Sequence, residues 1–411
     1  MTKIVFRLGL DAGFFRVHYD LEARDQRRLA GTVALFSAVA SSLMFGVVVL
    51  TAAPLGRALL GADRPSQWLV LAAADIYAAT FAFVPLNLLR IQDRPGLFSL
   101  YSGARHAVTT AVKVLLLLRG FGVPGVLWSD VVGTVVFSLA LSPVLLRSAR
   151  IGFSWDLLRP VLSFGLPKVP HGFMVQVQNL ADRKILDLFV APAEVGLYHV
   201  AYTLGAGVKF AISAFEPAWG PFVYSQLRKP DAPRILARVV TYAWAAFVAV
   251  GLVVAVFGRE IIRLMTQPRF HAAAPVVPLV TLAYVLHGAF LLTSIGIGIE
   301  KKARYYPIVT GAAAAANVIA NFALIPSWGM MGAAWATVIS YAVMAGLGLT
   351  LSRRLYPIHF ETGKMLGLAA AALVTFGVSH LAPEPTLAAI AFKLGVLALF
   401  PLLVWASGLR P

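Results

Sequence analysis

Long apolar stretches separated by short polar loops alternate along the whole chain. A helix needs about 20 apolar residues to cross the roughly 30 Å hydrocarbon core of a bilayer. Stretches of this length lie at residues 30–53, 67–89, 97–118, 124–146, 161–185, 195–226, 234–257, 271–297, 305–325, 328–352, 364–382 and 386–407. The pattern predicts an all-α polytopic membrane protein with about twelve full transmembrane helices and a partial helix before residue 20.

Composition agrees with this class and excludes several chemistries. Of the 411 residues, 59% are hydrophobic and 13% are charged, whereas soluble domains average about 45–50% and about 25%. The chain has no cysteine for disulfides or thiolate metal sites, and its histidines form no HExxH zinc motif. It has no P-loop, and its short loops leave no external domain for a glycosyltransferase or polymerase. We therefore expect a protein that is not an enzyme and holds no metal or cofactor.

The arrangement of basic residues along the chain predicts its topology. The net charge of +17 would suggest a nucleic-acid partner for a soluble protein, but here lysines and arginines concentrate in every second loop. The rich loops contain Arg24, Arg27, Arg28, Arg90, Arg94, Arg147, Arg150, Arg159, Arg228, Lys229, Arg234, Arg238, Lys301, Lys302, Arg304, Arg353, Arg354 and Lys364. The others contain Arg57, Arg64, Arg119, Arg259, Arg263 and Arg269. By the positive-inside rule the rich loops and the C-terminus, with Arg410, are cytoplasmic, and we expect no nucleic-acid partner.

Two parts of the chain resemble each other. Residues 119–135, RGFGVPGVLWSDVVGTV, align without gaps on residues 326–342, PSWGMMGAAWATVISYA, and the preceding helices correspond with Gly103 opposite Gly311. We interpret the chain as two homologous helical bundles in the same orientation around a central cavity. The predicted domains are residues 1–155 (an incomplete first lobe), 156–355 (the second lobe) and 356–411 (two additional C-terminal transmembrane helices). Transporters built from repeats bind substrate between them, although GxxGxxW alone also fits simple close packing of helices.

Polar residues inside the predicted spans are candidates for function, because a charge at the bilayer centre costs several kcal/mol unless it meets water or a partner. They are spaced by about one helical turn along single faces, which predicts a wet cavity. On span 195–226 they are Tyr198, Tyr202, Gly205, Lys209, Ser213 and Glu216; on 161–185, Lys168, His171, Gln178 and Asp182; on 97–118, Tyr101, Arg105, Thr109 and Lys113.

Several of these side chains have two interpretations. Arg105 and Lys113 lack an acid on their own helix face, which favours binding of an anion. Asp75 and Asp130, single acids in other spans, fit either proton or Na⁺ sites or partners of those cations. Arg183 and Lys184 also fit an interfacial helix anchor, and Lys209 with Glu216 also fit a buried structural relay.

Three segments carry a resemblance to a known family. They are LGLDAGFFRVHYDLEARDQRRLAGT (8–32), LADRKILDLFVAPAEVGLYHVAYTLG (180–205) and AFEPAWGPFVYSQL (214–227). They resemble the flippases for lipid-linked oligosaccharides, of the O-antigen and capsule type, in the multidrug/oligosaccharidyl-lipid/polysaccharide (MOP) exporter superfamily. The resemblance covers nearly the whole chain. Family members have fourteen helices, and counting from the C-terminus the chain has the third to the fourteenth and, in residues 3–19, the tail of the second. It is therefore predicted to be truncated at its N-terminus.

The resemblance implies a function for the polar side chains. Such a flippase moves an undecaprenyl-diphosphate-linked oligosaccharide from the cytoplasmic to the external leaflet by alternating access, for cell-surface polysaccharide synthesis. Arg105, Lys113, Lys168 and Lys209 would neutralise the diphosphate, Tyr198 and Tyr202 would stack on sugars, and Arg183, oriented by Asp182 at the external rim, would contact the diphosphate or glycan. Asp75, Asp130, Asp182 and Glu216 are the candidates for H⁺ or Na⁺ coupling.

The same resemblance implies a location and partners. We expect a multi-pass protein of the bacterial inner membrane that contacts an anionic lipid-linked glycan, membrane lipids and the polysaccharide polymerase and chain-length machinery. The alternatives are a lipid II type flippase, which suits a cationic cavity equally well, and a cation-coupled multidrug exporter, which the intramembrane lysines and arginines disfavour. A membrane enzyme of glycan polymerisation is disfavoured by the short loops.

Overall fold

The described part of the chain is built of helices. The computed structural model describes residues 8–60, 65–92, 94–150, 152–227, 229–356, 358–382 and 387–406. Arg64, Arg228, Arg410 and residues 3–7, which the charge pattern and the predicted partial helix use, lie outside these ranges. The chain forms two compact units, Met1–Phe173 and Met174–Pro411, and the division falls within α8.

The first unit contains seven helices and the start of an eighth among its described residues. They are α1 (Leu10–His18), α2 (Ala23–Leu50), α3 (Ala52–Leu60), α4 (Gln67–Ile91), α5 (Pro95–Leu118), α6 (Gly122–Ser148), α7 (Trp155–Gly165) and α8 (Lys168–Phe189). Phe14 of α1 and Leu29 of α2 are fully buried with Leu158 of α7. Gly9 and Gly165 let α1 and α7 approach so closely that a β-carbon at either residue would collide with the backbone of the other.

The second unit contains the remaining described helices. They are α9 (Pro192–Gly205), α10 (Val208–Gln226), α11 (Ala232–Met265), a 3₁₀ helix (Pro268–Val276), α12 (Val277–Thr293), α13 (Ile295–Ile299), α14 (Tyr305–Leu355), α15 (Thr362–Ser379) and α16 (Leu387–Ala406). Prolines open α9, α11 and the 3₁₀ helix, where the first backbone N–H groups have no partner within the helix and the fixed φ of proline suits the first turn.

The structure shows how the two predicted repeats correspond. Gly122 starts α6 with φ 55°, and its counterpart Gly329 interrupts α14 with φ 50°, a left-handed conformation that glycine adopts without steric cost. Three residues on, a β-carbon at Gly125 would lie 2.9 Å from Phe121 and 3.1 Å from Leu116, and one at Gly332 would lie 2.5 Å from the Leu324 carbonyl oxygen. In both copies the first glycine of GxxGxxW therefore makes the turn and the second lets the helix pack on the preceding one.

Two predicted spans are interrupted in the structure. Span 161–185 is divided between α7 and α8 at residues 166–167. Pro167 lies at this break, and proline is a usual cause of a break in a helix. The prediction of one continuous helix over residues 195–226 was wrong, because the chain is divided into α9 and α10 at Ala206 and Gly207. Gly205 lies against Val280 without room for a β-carbon. The bend turns Lys209 and Glu216 onto a separate helix, so the polar stripe on this span is not continuous.

Eight described helical segments are long and apolar enough to cross a membrane. One is α14, which contains two predicted spans joined at the break by Gly329. The predicted spans 97–118, 161–185 and 195–226 correspond to helices outside this set, because those helices carry charged residues or are interrupted. The all-α membrane fold is confirmed, while the number of crossings stays a prediction.

A buried carboxylate as candidate functional site

Asp182 lies in the interior of the second unit and is the centre of a polar cluster. It is 1% exposed. Its Oδ1 accepts hydrogen bonds from the amide groups of Asn317 and Asn321, each at 2.8 Å. Its Oδ2 accepts one from the Thr337 hydroxyl at 2.7 Å and one from the Tyr198 hydroxyl at 3.3 Å. Four neutral donors from α9 and both halves of α14 therefore surround one carboxylate of α8.

The register between α8 and α14 brings these groups together. One helical turn before Asp182, Gln178 donates to the Ser340 hydroxyl at 2.7 Å, and Ser340 donates to the Ala313 carbonyl at 2.6 Å. Asn317 and Asn321 are one turn apart on the first half of α14, and Asn321 also donates to Asn317 at 3.0 Å. The break in α14 places Thr337, from its second half, against the same carboxylate.

An aromatic cluster extends from Asp182 into the same unit. The Tyr198 and Tyr202 rings lie 5.7 Å apart, and the Tyr202 ring lies 5.8 Å from that of Tyr284. The Tyr284 hydroxyl donates to that of Tyr202 at 3.0 Å. Tyr341 follows, 5.9 Å from Tyr284. Tyr198 and Tyr202 are buried, so the structure does not place these two rings on an open surface where they could stack on sugars.

The electrostatics of the Asp182 cluster are unusual because no cation neutralises the carboxylate. Asp182 makes no ion pair among the described residues, and all of its hydrogen-bond partners are neutral. Two buried acceptors near it, Asn321 Oδ1 and Gln178 Oε1, accept no hydrogen bond. Burying an unpaired carboxylate costs several kcal/mol, and hydrogen bonds to a charged group return about 1.5–3 kcal/mol each. Hydrogen bonds from neutral groups are therefore the only interactions shown that stabilise the Asp182 carboxylate among the described residues.

Arg183, next to Asp182, faces another direction. Adjacent helical residues do not face each other, and the Arg183 guanidinium lies over the Tyr202 ring at 5.1 Å. The prediction that Asp182 orients Arg183 at an external rim was wrong, because Asp182 is buried and hydrogen-bonds to α9 and α14 instead. Arg183 Nε lacks a hydrogen-bond partner, while the neighbouring Lys184 is exposed.

In the first unit, the two predicted anion-binding cations have acidic partners. Lys113 donates to Asp130 at 3.1 Å. Arg105 lies 3.7 Å from Asp75 and donates to Thr134 at 2.9 Å, and Thr134 donates in turn to Asp75. Of the two interpretations that the sequence allowed for these acids, the structure shows the pairing one. The argument that Arg105 and Lys113 need an external anion was therefore wrong, since acids from neighbouring helices neutralise them.

The other predicted residues lie apart from the Asp182 cluster. Lys168 lies over the Phe164 ring at 5.2 Å in the first unit. Lys209 and Glu216 are exposed on α10, so the alternative of a buried relay between them was wrong. Within the described residues, no group of three or more histidine, cysteine, aspartate or glutamate side chains could hold a metal ion.

The sequence missed the partners of Asp182. In the alignment of the two repeats, Asn317 and Asn321 are the uncharged counterparts of Thr109 and Lys113, and Thr337 is the counterpart of Asp130. The pair that forms an ion pair in the first unit, Lys113 with Asp130, is thus replaced in the second by an amide and a hydroxyl that both bind Asp182. The positions at which the two repeats differ in charge therefore point to this site.

Comparisons with known proteins agree with the fold. A family model described as polysaccharide biosynthesis protein matches residues 4–265. The probable flippase AglR of Haloferax volcanii is 26% identical over 330 residues, which are 72% of this chain, and the chain covers 64% of that relative's length.

Solved structures with the same fold are transporters. A mutant of the Vibrio cholerae MATE transporter VcmN has a TM-score of 0.69 at 15% identity, with 87% of each chain covered. A MATE transporter in the straight conformation has a TM-score of 0.72 at 16% identity, with 86% of this chain and 84% of that one covered. A MOP superfamily transporter from Pyrococcus furiosus has a TM-score of 0.68 at 16% identity over the same shares. The chain therefore belongs to the polysaccharide biosynthesis protein family, and its fold is similar to that of MATE and MOP superfamily transporters.

Proposed function

We propose that this protein is a flippase that moves an undecaprenyl-diphosphate-linked oligosaccharide from the cytoplasmic to the external leaflet by alternating access. Family membership, the curated relative described as a probable flippase and the transporter fold support this proposal. The lipid-linked glycan is anionic, and its sugar part is too polar to cross the hydrocarbon core alone. A protein with intramembrane cations and a polar interior suits such a substrate.

The observation that carries the proposal is the Asp182 cluster. A buried carboxylate with four neutral donors and no cation has two electrostatic states, one charged and one neutralised by H⁺ or Na⁺. A ligand shifts a conformational equilibrium only by its differential affinity for two states. Neutralising Asp182 changes the interactions that join α8 and α9 to both halves of α14, which makes it our candidate for the coupling site.

The cations available to the diphosphate differ between the two units. Arg105 and Lys113 each have an acidic partner in the first unit, so they add little net charge. Arg183 and Lys209 have no ion pair among the described residues of the second unit, and Lys209 is exposed. We therefore assign recognition of the diphosphate to Arg183 and Lys209 of the second unit, while the role of Lys168, in the first unit, stays a prediction.

The test uses proteoliposomes that contain the full chain and a fluorescent undecaprenyl-diphosphate oligosaccharide, with flipping measured by accessibility to an external quencher. Asp182→Asn keeps the shape of the side chain and removes its charge, so we expect flipping driven by a pH or Na⁺ gradient to fall by about tenfold or more. The matched control is Asp187→Asn, which changes an exposed carboxylate of the same helix. It should flip at the normal rate.

The outcomes separate the coupling site from the function. Normal gradient-dependent flipping by Asp182→Asn would refute Asp182 as the coupling site while leaving the flippase standing. Absence of flipping by the unmodified chain, together with failure to restore surface glycan in a flippase-deficient strain, would refute the flippase itself. A response to the pH gradient alone would identify the proton, and a response to the Na⁺ gradient alone would identify Na⁺.

A further inference from the structure

An apolar groove runs along the second unit between α11, α12, α14 and α15. Its volume is about 630 Å³, within the range of small-molecule sites. Small side chains leave this space open on two of its walls, Ala345 and Gly346 on α14 and Ala369 and Ala372 on α15. At 1.5 Å per residue, its lining on α15, from Thr362 to Phe376, is about 21 Å long. This exceeds the roughly 15 Å of hydrocarbon in one leaflet.

A basic cavity adjoins one end of the groove. It has a volume of about 450 Å³ and is lined by Pro233, Arg234, Ala237, Arg238, His359, Glu361 and Lys364. The two spaces meet at the start of α15, where Glu361 and Lys364 line the basic cavity and Thr362 and Met365 line the groove. The same end carries loops whose lysines and arginines predict a cytoplasmic position.

The charges in the basic cavity leave two arginines for an external anion. Both oxygens of Glu361 are already bound, one by Lys364 at 2.8 Å and the other by the Thr241 hydroxyl at 2.7 Å. In the part of the chain that the structure describes, the guanidinium groups of Arg234 and Arg238 form no hydrogen bond or close ion pair, and Arg238 acts on Glu361 only through longer-range electrostatics. Arginine binds phosphate through two parallel hydrogen bonds. The cavity therefore offers a net positive site to a phosphate group.

The opposite end of the groove adjoins another cavity, of about 600 Å³, whose lining includes Arg259, Glu260, Arg263 and Lys393. There Lys393 of α16 is 9% exposed and forms an ion pair with Glu260 at 2.5 Å, so its charge is already used within the protein. The end with Arg234 and Arg238 is the one whose loops predict a cytoplasmic position, and it combines these two cations with an apolar groove longer than one leaflet.

We propose that this groove binds one anionic phospholipid of the cytoplasmic leaflet. Its phosphate lies between Arg234 and Arg238, and an acyl chain lies along α15 between α11 and α14. Cationic pockets between transmembrane helices on this side of a membrane suit anionic headgroups. The site is separate from Asp182, and the proposal does not depend on the transported substrate.

The test measures lipid binding to the purified full chain by native mass spectrometry, with phosphatidylglycerol and phosphatidylcholine of identical acyl chains. We expect the unmodified protein to bind phosphatidylglycerol more tightly, and Arg234→Gln with Arg238→Gln to weaken that binding about tenfold. Ala369→Phe fills the groove and should weaken binding of both lipids. The matched control, Arg147→Gln with Arg159→Gln, removes two exposed arginines of the first unit and should change neither.

Three results would overturn the proposal. The first is equal binding of the two lipids by the unmodified protein. The second is competition by inorganic phosphate together with normal lipid binding by Ala369→Phe, which would identify a site for free phosphate. The third is a lipid-free dimer that Ala369→Phe dissociates, which would mean that a second copy of the chain covers the groove. Thermal unfolding of each variant distinguishes lost binding from lost folding.

Discussion

The ion pair between Lys393 and Glu260 gives a sharp prediction about how the last helix is held. Lys393 Nζ lies 2.5 Å from Glu260 and also donates to the Val256 carbonyl at 3.0 Å. The two side chains are only 11% and 17% exposed. Lys393 binds Glu260 Oε1, and the buried Oε2 accepts no hydrogen bond. Removing one member of a buried pair costs about 3–5 kcal/mol, because it leaves the other charge buried and unpaired.

We therefore expect Lys393→Met to lower the free energy of unfolding of the second unit by about 3 kcal/mol. For a unit of this size, each kcal/mol corresponds to about 2–4 °C in melting temperature, so the expected decrease is about 6–12 °C. Glu260→Gln should give a similar decrease, since it leaves the Lys393 ammonium without its counter-ion. The double variant should lose about 1 kcal/mol, because it buries no unpaired charge.

The assay is thermal unfolding of the detergent-solubilised chain, followed by tryptophan fluorescence in a double-mutant cycle. Lys364→Met serves as the control, since Lys364 pairs with Glu361 at 2.8 Å while 39% exposed, and exposed pairs contribute about 0–1 kcal/mol. Additive losses in the double variant would refute the reasoning, because they would mean that the two side chains stabilise the unit independently. So would a loss in the control as large as that of Lys393→Met.

Two further predictions concern packing and pH. Gly332→Val should abolish stable folding, because its β-carbon would lie 2.5 Å from the Leu324 carbonyl oxygen; Gly346→Ala, where a β-carbon meets nothing within 4 Å, should leave the yield of folded protein in size-exclusion chromatography unchanged. The hydrogen bond from Lys364 lowers the pKa of Glu361 below its usual 4.5. A carboxyl group whose pKa is lower in the folded than in the unfolded protein stabilises the fold above about pH 4.5. This stabilisation is lost as the pH falls through the pKa of the folded state. The difference in melting temperature between the unmodified protein and Glu361→Gln should therefore be constant near neutral pH and shrink below pH 4.5; a constant difference down to pH 3 would contradict it.

The sequence predicted the framework well because apolar periodicity and glycine geometry are local properties. Gly122 aligns with Gly329 and Gly125 with Gly332 from the sequence alone. Within each pair, the two glycines have the same role in the structure. The break beside Pro167 could also be predicted, because proline removes a backbone donor and clashes with the preceding turn. The bend at residues 206–207 was missed, since the tight contact of Gly205 with Val280, distant in sequence, cannot be read from the local pattern.

The candidate site could be predicted only in part, because partners across helices depend on helix rotation. Asp182 was identified by its position in a span, but whether it faced Arg183 or α14 could not be read from spacing. The partners of Arg105 and Lys113 presented the same difficulty, since Asp75 and Asp130 were identified and their pairing was one of two open interpretations. In a membrane interior, polar side chains on different helices pair with one another, so intramembrane acids and bases are better considered jointly.

The repeat suggests why one copy rather than the other carries the candidate coupling site. At equivalent positions the first unit has Lys113 with Asp130 and the second has Asn321 with Thr337. The first pair neutralises itself at 3.1 Å, so a proton or cation arriving there has to compete with an ammonium group already in place. The second pair brings only neutral dipoles to Asp182, which leaves the negative charge available to an ion. This replacement of a charged pair by an amide and a hydroxyl is our reason for placing the candidate coupling site of the proposed flippase in the second unit.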